Sequence, residues 1–202
     1  MKLTLLFALL PGLLPGATYT WWVDACTASA AEDTGCRAGD PELAAWALEA
    51  WSKASDNKIE LKPASAPAFA RLCYRWAGGH DDRYGETRPT VVGNEPGAEM
   101  FVFLRHETLG KKIAGDSKKD PLFRDTVVFL TCVHEAGHAL GLPHSKDFDD
   151  IMYDFRHGGD LYEYFARFRR KLNQRADIQT TSAITSHDRE ALKTNLASQA
   201  SH

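Results

Sequence analysis

His134-Glu135-Ala136-Gly137-His138-Ala139-Leu140-Gly141-Leu142-Pro143-His144 sets three histidines and a glutamate at fixed intervals, H-E-x-x-H-x-x-G-x-x-H. On a helix His134 and His138 lie one turn apart, so both imidazoles leave the same face and Glu135 stands beside them. Gly141 is the residue type that takes positive φ, which lets the chain leave the helix and swing His144 toward the same point. Pro143 prevents the helix from resuming. Three neutral imidazoles around one point suit Zn²⁺. They leave the fourth tetrahedral position open, as reactive zinc sites do and four-ligand structural sites do not. The five fixed positions arise by chance at roughly 10⁻⁷ per starting position, so a histidine-bearing polar helix face is a poor account of them.

Downstream stands Asp150-Ile151-Met152-Tyr153, with Met152 eight residues after His144. Together the two stretches resemble the metzincin zinc peptidases. The Ile-Met-Tyr wording and the short interval are most similar to the matrixin branch, the family of the matrix metalloproteinases. The resemblance covers residues 18 to 195. It implies an α+β, zincin-like catalytic domain: a twisted, mostly parallel sheet with an antiparallel edge strand, an active-site helix, a Met-turn that puts Met152 beneath the histidines, and a C-terminal helix. It also implies Zn²⁺ held by His134, His138 and His144, with protein or peptide substrates. Glu135 would be the general base of peptide-bond hydrolysis and would deliver the proton to the departing amine. A competing reading from another class is a metzincin-shaped binding module or inhibitor without turnover. The intact Glu135 argues against it.

Tyr19 to Val23 reads as the first strand. Pro41 to Ser55, with Leu43, Ala44, Trp46, Ala47, Ala50 and Trp51 at helical spacing, reads as the first long helix, and Trp51-Ser52 is similar to its ending in the family. Three further segments read as strands: Ile59 to Leu61, Ala70 to Trp76 and Met100 to Leu104. By the resemblance, the last is expected at the sheet edge beside the cleft, where an extended substrate pairs with main-chain groups.

Matrixins usually continue their Met-Tyr with proline, but here Asp154, Phe155 and Arg156 follow, so the family's cleavage preference is not carried over. Nor is an oxyanion role given to Tyr153, since the place used by a tyrosine in astacin-like relatives is Asp154. Between Asp160 and Arg175, Leu161, Tyr164, Phe165, Phe168 and Leu172 keep helical spacing among Arg167, Arg169, Arg170, Lys171 and Arg175. This reads as an added amphipathic helix, packed on the domain with a solvated basic face. A final helix is expected from Ser186 as N-cap through His187, Asp188, Ala191 and Leu192. Arg189 replaces the second aspartate common there in the family, so a buried charge contact at that point is not carried over.

The chain has 202 residues, 44% of them hydrophobic and 25% charged, with a formal net charge of −3 and no internal repeat. One enzyme-sized domain accounts for that length, expected as a monomer, and the slight acidity argues against nucleic acid as the main partner. Met1-Lys2, the apolar run Leu3 to Leu14 and the small residues Pro15-Gly16-Ala17 read as a secretory signal over residues 1–17, leaving 18–202 as the domain. Export to the extracellular space, or to a periplasm, follows. Residues 3 to 23 carry no charge, but two Pro-Gly pairs interrupt them, which disfavours an uncleaved anchor and other membrane contact.

No propeptide is expected between the signal and Tyr19. Cys36-Arg37-Ala38-Gly39-Asp40-Pro41 is superficially similar to the family's latency segment, yet it falls inside the domain and lacks the Pro-Arg-Cys-Gly order. Four cysteines, Cys26, Cys36, Cys73 and Cys132, suit export and allow three pairings. The short loop between Cys26 and Cys36 favours a local bridge, which leaves Cys73 with Cys132. His80, Asp81, Asp82, Glu86 and His106 could supply a second zinc or calcium site of the kind matrixins often carry, although that histidine-aspartate pattern is only partly present.

Overall fold

The computed structural model describes residues 17–79 and 83–199. Five strands, β1 (Ala17–Val23), β2 (Ile59–Pro63), β3 (Leu72–Ala77), β4 (Gly85–Val92) and β5 (Glu95–Phe103), form one sheet in the order β2-β1-β3-β5-β4. The first three pairings are parallel, and β4 alone runs antiparallel, with Gly85 opposite Val102 and Val92 opposite Glu95. This is the expected α+β architecture with one correction. The segment expected at the edge, Met100 to Leu104, lies largely in β5, which is paired on both sides; the edge strand on that side of the sheet is β4. Its sequence, Gly-Glu-Thr-Arg-Pro-Thr-Val-Val, lacks apolar alternation because much of it meets solvent, and Pro89 is tolerable only where one side of a strand is unpaired.

The helices are α1 (Ala28–Thr34), α2 (Asp40–Ala54), α3 (Lys111–Lys119), α4 (Pro121–Ala139), α5 (Leu161–Arg169), α6 (Asp177–Thr180) and α7 (Ser186–Gln199). The main core lies between the sheet and the pair α2 and α4. Leu72, Tyr74 and Trp76 of β3 join it. Two side chains reach backbone carbonyls of α4: Trp51 Nε1 of α2 donates to Val133 O at 2.8 Å, and the Tyr74 hydroxyl donates to Cys132 O at 2.7 Å. A buried ion pair between Asp40 and Arg124 joins the first turns of the two helices.

The strand's period of two places Cys73 and Arg75 on the opposite face of the sheet, where Arg75 bridges Asp24 and Glu99 at 2.9 Å each. This parity overturns the expected Cys73–Cys132 bridge. Cys132 belongs to the helix on the core face, Cys73 points away from it, and both are buried free thiols. The Cys26–Cys36 disulfide is present. What lies between them is helix α1 rather than a loop, started by Thr27 Oγ1 accepting from Ala30 N at 3.2 Å and ended by Gly35 at φ +83°.

The amphipathic segment is helical only over Leu161–Arg169, with Asp160 as its N-cap, and Tyr164, Phe165 and Phe168 are buried. Its basic side chains have local partners: Arg167 on Asp149 at 2.9 Å, Arg169 on Asp120 at 2.8 Å, and Arg170 on Glu163. Further along, Arg175 meets Asp125 at 3.0 Å and also Glu42. The last helix is capped by Thr185 rather than Ser186: Asp188 N donates to Thr185 Oγ1 and Thr185 N to Asp188 Oδ2, each at 3.1 Å, a reciprocal capping box. Apart from Ala17 in β1, the signal segment lies outside the described residues. Among the described residues no helix is long and apolar enough to cross a membrane.

Candidate active site

Asp120 starts α4 by accepting from Leu122 N at 3.0 Å and Phe123 N at 3.1 Å, with Pro121 in the first turn where its missing N–H is harmless. The helix then carries His134, Glu135 and His138 to its last turns. Gly141, at φ +88°, ends it as the spacing requires, and Asn195 of α7 donates to Leu140 O at 2.6 Å to satisfy the exposed end. His144 follows on the returning chain.

That return is pinned to the Met-turn. Ser145 N donates to Met152 O at 2.7 Å and Asp154 N to Ser145 O at 2.9 Å. Buried Asp150 gathers Ser145 Oγ at 2.5 Å, Thr185 Oγ1 at 2.6 Å and His187 Nδ1 at 2.5 Å. Asp188 is buried too and accepts from Ile151 N at 2.9 Å, so the single remaining aspartate of α7 does make the buried contact that the sequence left unassigned. Met152 lies under α4, where a methyl on Gly137 would overlap its sulfur.

Each ring of the triad has a defined setting. His134 Nδ1 lies 2.7 Å from Ile151 O, and His138 Nδ1 lies 2.9 Å from Leu142 O. A carbonyl accepts, so each Nδ1 carries the proton and each Nε2 presents a lone pair. His144 Nδ1 is 3.9 Å from the Asp154 carboxylate, which Arg156 grips at 2.6 Å and thereby holds well below the usual carboxylate range.

Burial pushes the His134 imidazole down to about 3, and it also lowers His138 and His144, so the triad is neutral. The three ligand atoms lie within 4.8 Å of one another. His138 Nε2 and His144 Nε2 face each other at 3.1 Å. A set of three neutral imidazoles converging on one point is the donor chemistry that Zn²⁺ accepts. The residues present therefore fit the ion.

Glu135 is buried against β4. Thr87 Oγ1 lies 2.6 Å from Glu135 Oε2 and 3.0 Å from its main-chain oxygen. Burial pushes the Glu135 carboxyl up to about 7, against the pull of that hydroxyl. The triad, Glu135, β4 and Tyr153 to Arg156 line one cleft of about 1180 Å³. Tyr84 packs edge-on against the His134 ring and against Phe155, with centroids 5.4 and 6.2 Å apart.

Such a sheet, helix and open three-histidine site define a zinc-peptidase type of domain. The chain matches the family model described as Matrixin over residues 43–179, and it belongs to that family. No curated protein matches it. The family implies a catalytic zinc and protein or peptide substrates.

The structure thus brings together the four residues that the motif singled out. Of the candidates for a second metal site, His80, Asp81 and Asp82 lie outside the described residues, Glu86 pairs with Arg88 at 3.0 Å, and His106 is buried with its Nδ1 2.9 Å from Ser117 Oγ. Among the described residues only His134, His138 and His144 form a group placed to hold a metal. Sequence reasoning missed Thr87 and Gly85, which carry no local signal. It also missed Thr185, although Thr185-Ser-His-Asp188 has the spacing of a capping box.

Proposed function

We propose that this chain is an exported zinc-dependent endopeptidase, with residues 1–17 as its signal and 18–202 as its catalytic domain. The observation that carries the reading is the buried Glu135 carboxyl group beside three neutral histidines, in a cleft bounded by an open strand edge. Bound Zn²⁺ would polarise the scissile carbonyl and make a water acidic enough to attack it. Glu135 would take the proton of the attacking water and pass it to the departing amine, and its place beside the triad in the cleft suits both transfers. The Nδ1 contacts of His134 and His138 fix their rings, and the main-chain edge of β4 orders an extended substrate by strand pairing. Export is supported by the apolar amino terminus and by the Cys26–Cys36 disulfide.

The mature protein is expected to cleave an unfolded substrate such as casein, and chelation is expected to abolish this. Glu135→Gln should bind zinc as before and lose at least about a hundredfold in activity. Equal cleavage by Glu135→Gln would sink the assignment. A zinc-loaded protein that turns over no member of a broad peptide library would instead be a binding module.

A further inference from the structure

We propose that Thr87 is the positioning residue for Glu135, and that it couples the docking of a substrate strand to the setting of the base. The inference rests on the peptidase reading above. It starts from the direction of the main-chain groups along β4. Tyr84 O accepts from Phe103 N at 3.0 Å, so residues 84, 86 and 88 turn their backbone groups toward β5. Gly85 and Thr87, one residue out of phase, turn theirs to the unpaired side. The parity agrees on the far strand, where Ala98, opposite Pro89, gives its N–H to Arg71 O on the β3 side at 2.6 Å.

The same two residues face α4. A methyl built on Gly85 would overlap the Glu135 carboxyl group and lie 2.7 Å from its Cγ, so the bare strand and the glutamate fit against each other. The hydroxyl proton of Thr87 is directed to Glu135 Oε2, the nearer acceptor at 2.6 Å, which leaves Oε1 as the oxygen that receives the proton of the attacking water. A free glutamate samples many rotamers; held at one oxygen and backed by Gly85, it keeps one. A substrate strand hydrogen-bonded to the backbone of Gly85 and Thr87 stiffens the two residues that hold the base. Binding thereby also sets the proton acceptor.

The test compares Thr87→Val, which keeps the shape and removes the hydroxyl, with Thr87→Ser, which keeps the hydroxyl. Both are assayed as full-length mature, zinc-loaded protein on a fluorogenic peptide copied from a casein cleavage site, and crystal structures are determined alongside wild type. Thr87→Val is expected to lose about tenfold or more in kcat with KM and zinc content unchanged. Thr87→Ser should stay within about twofold of wild type. In crystals the Glu135 side chain should keep its place in the serine variant and leave it in the valine variant. Wild-type kcat in Thr87→Val, or an equal loss in both variants, overturns the positioning role. If wild type cleaves nothing, the peptidase reading fails separately, and the crystals still decide: an unmoved Glu135 in Thr87→Val overturns the inference.

Discussion

Replacing Gly137 by alanine is expected to destabilise the protein although it improves the helix. In an exposed helix interior this change gains about 1 kcal/mol. Gly137 is buried, however, and a methyl there would overlap Met152 Sδ, approach Trp51 Cζ2 to 3.0 Å and Met152 Cε to 3.1 Å. The thioether can move aside. The indole cannot, because it is fully buried and its Nε1 is fixed on Val133 O at 2.8 Å. Overpacking a tight core costs about 1–3 kcal/mol, and a rigid ring on one side puts this site at the upper figure. Set against the helical gain, the net loss is about 2 kcal/mol, a fall in Tm of about 4–8 °C for a domain of this size. Gly115 in α3 is the control, since a methyl there meets nothing within 4 Å and Gly115→Ala should stabilise. Calorimetry of the zinc-free proteins measures both. A Tm for Gly137→Ala at or above wild type would refute the packing of the Met-turn against α4.

Two further outcomes follow from the groups around the site. Asp154→Asn removes the carboxylate 3.9 Å from His144 Nδ1, and competition against a chromogenic chelator should show zinc affinity reduced by about tenfold; unchanged affinity would mean that Asp154 serves only Arg156. His187 is raised above the ordinary histidine value by its bond to Asp150, so its contribution to stability is complete below that ordinary value, about 6.5, and is lost as pH rises through the raised one. The Tm deficit of His187→Gln should therefore be largest below about pH 6.5 and shrink as pH rises through the raised value, whereas a constant deficit would assign the contact to a neutral hydrogen bond.

The metal-binding half of the site was legible because its logic is local. Helical spacing puts His134 and His138 on one face, a positive φ at Gly141 turns the chain toward His144, and Met152, eight residues after His144, arrives beneath. The surroundings of Glu135 were not legible. Thr87 meets Glu135 only because β4 adds to the sheet beyond β5, and strand order is not written in a sequence separation of 48. A polar edge strand also lacks the alternation by which buried strands are recognised. The side of β3 on which Cys73 lies is legible in the pattern itself: Leu72, Tyr74 and Trp76 mark the core face, which turns Cys73 away from any helix packed there.

An edge left open for a peptide is open to any other chain, including another copy of this one. Pro89 lacks an N–H at a position whose backbone faces outward, so a strand pairing along β4 runs past Gly85 and Thr87 and then meets a gap. Glu86 and Arg88 add charges within the same short stretch. Two residues of ladder before that gap are too few to hold a free strand in water; on the peptidase reading proposed above, they would suffice for a peptide whose scissile carbonyl is anchored elsewhere. Pro89 would then act as a length filter. Such an edge would reward a chain that also reaches the histidines, and it gives little hold to the sheet-to-sheet pairing that leads to aggregates.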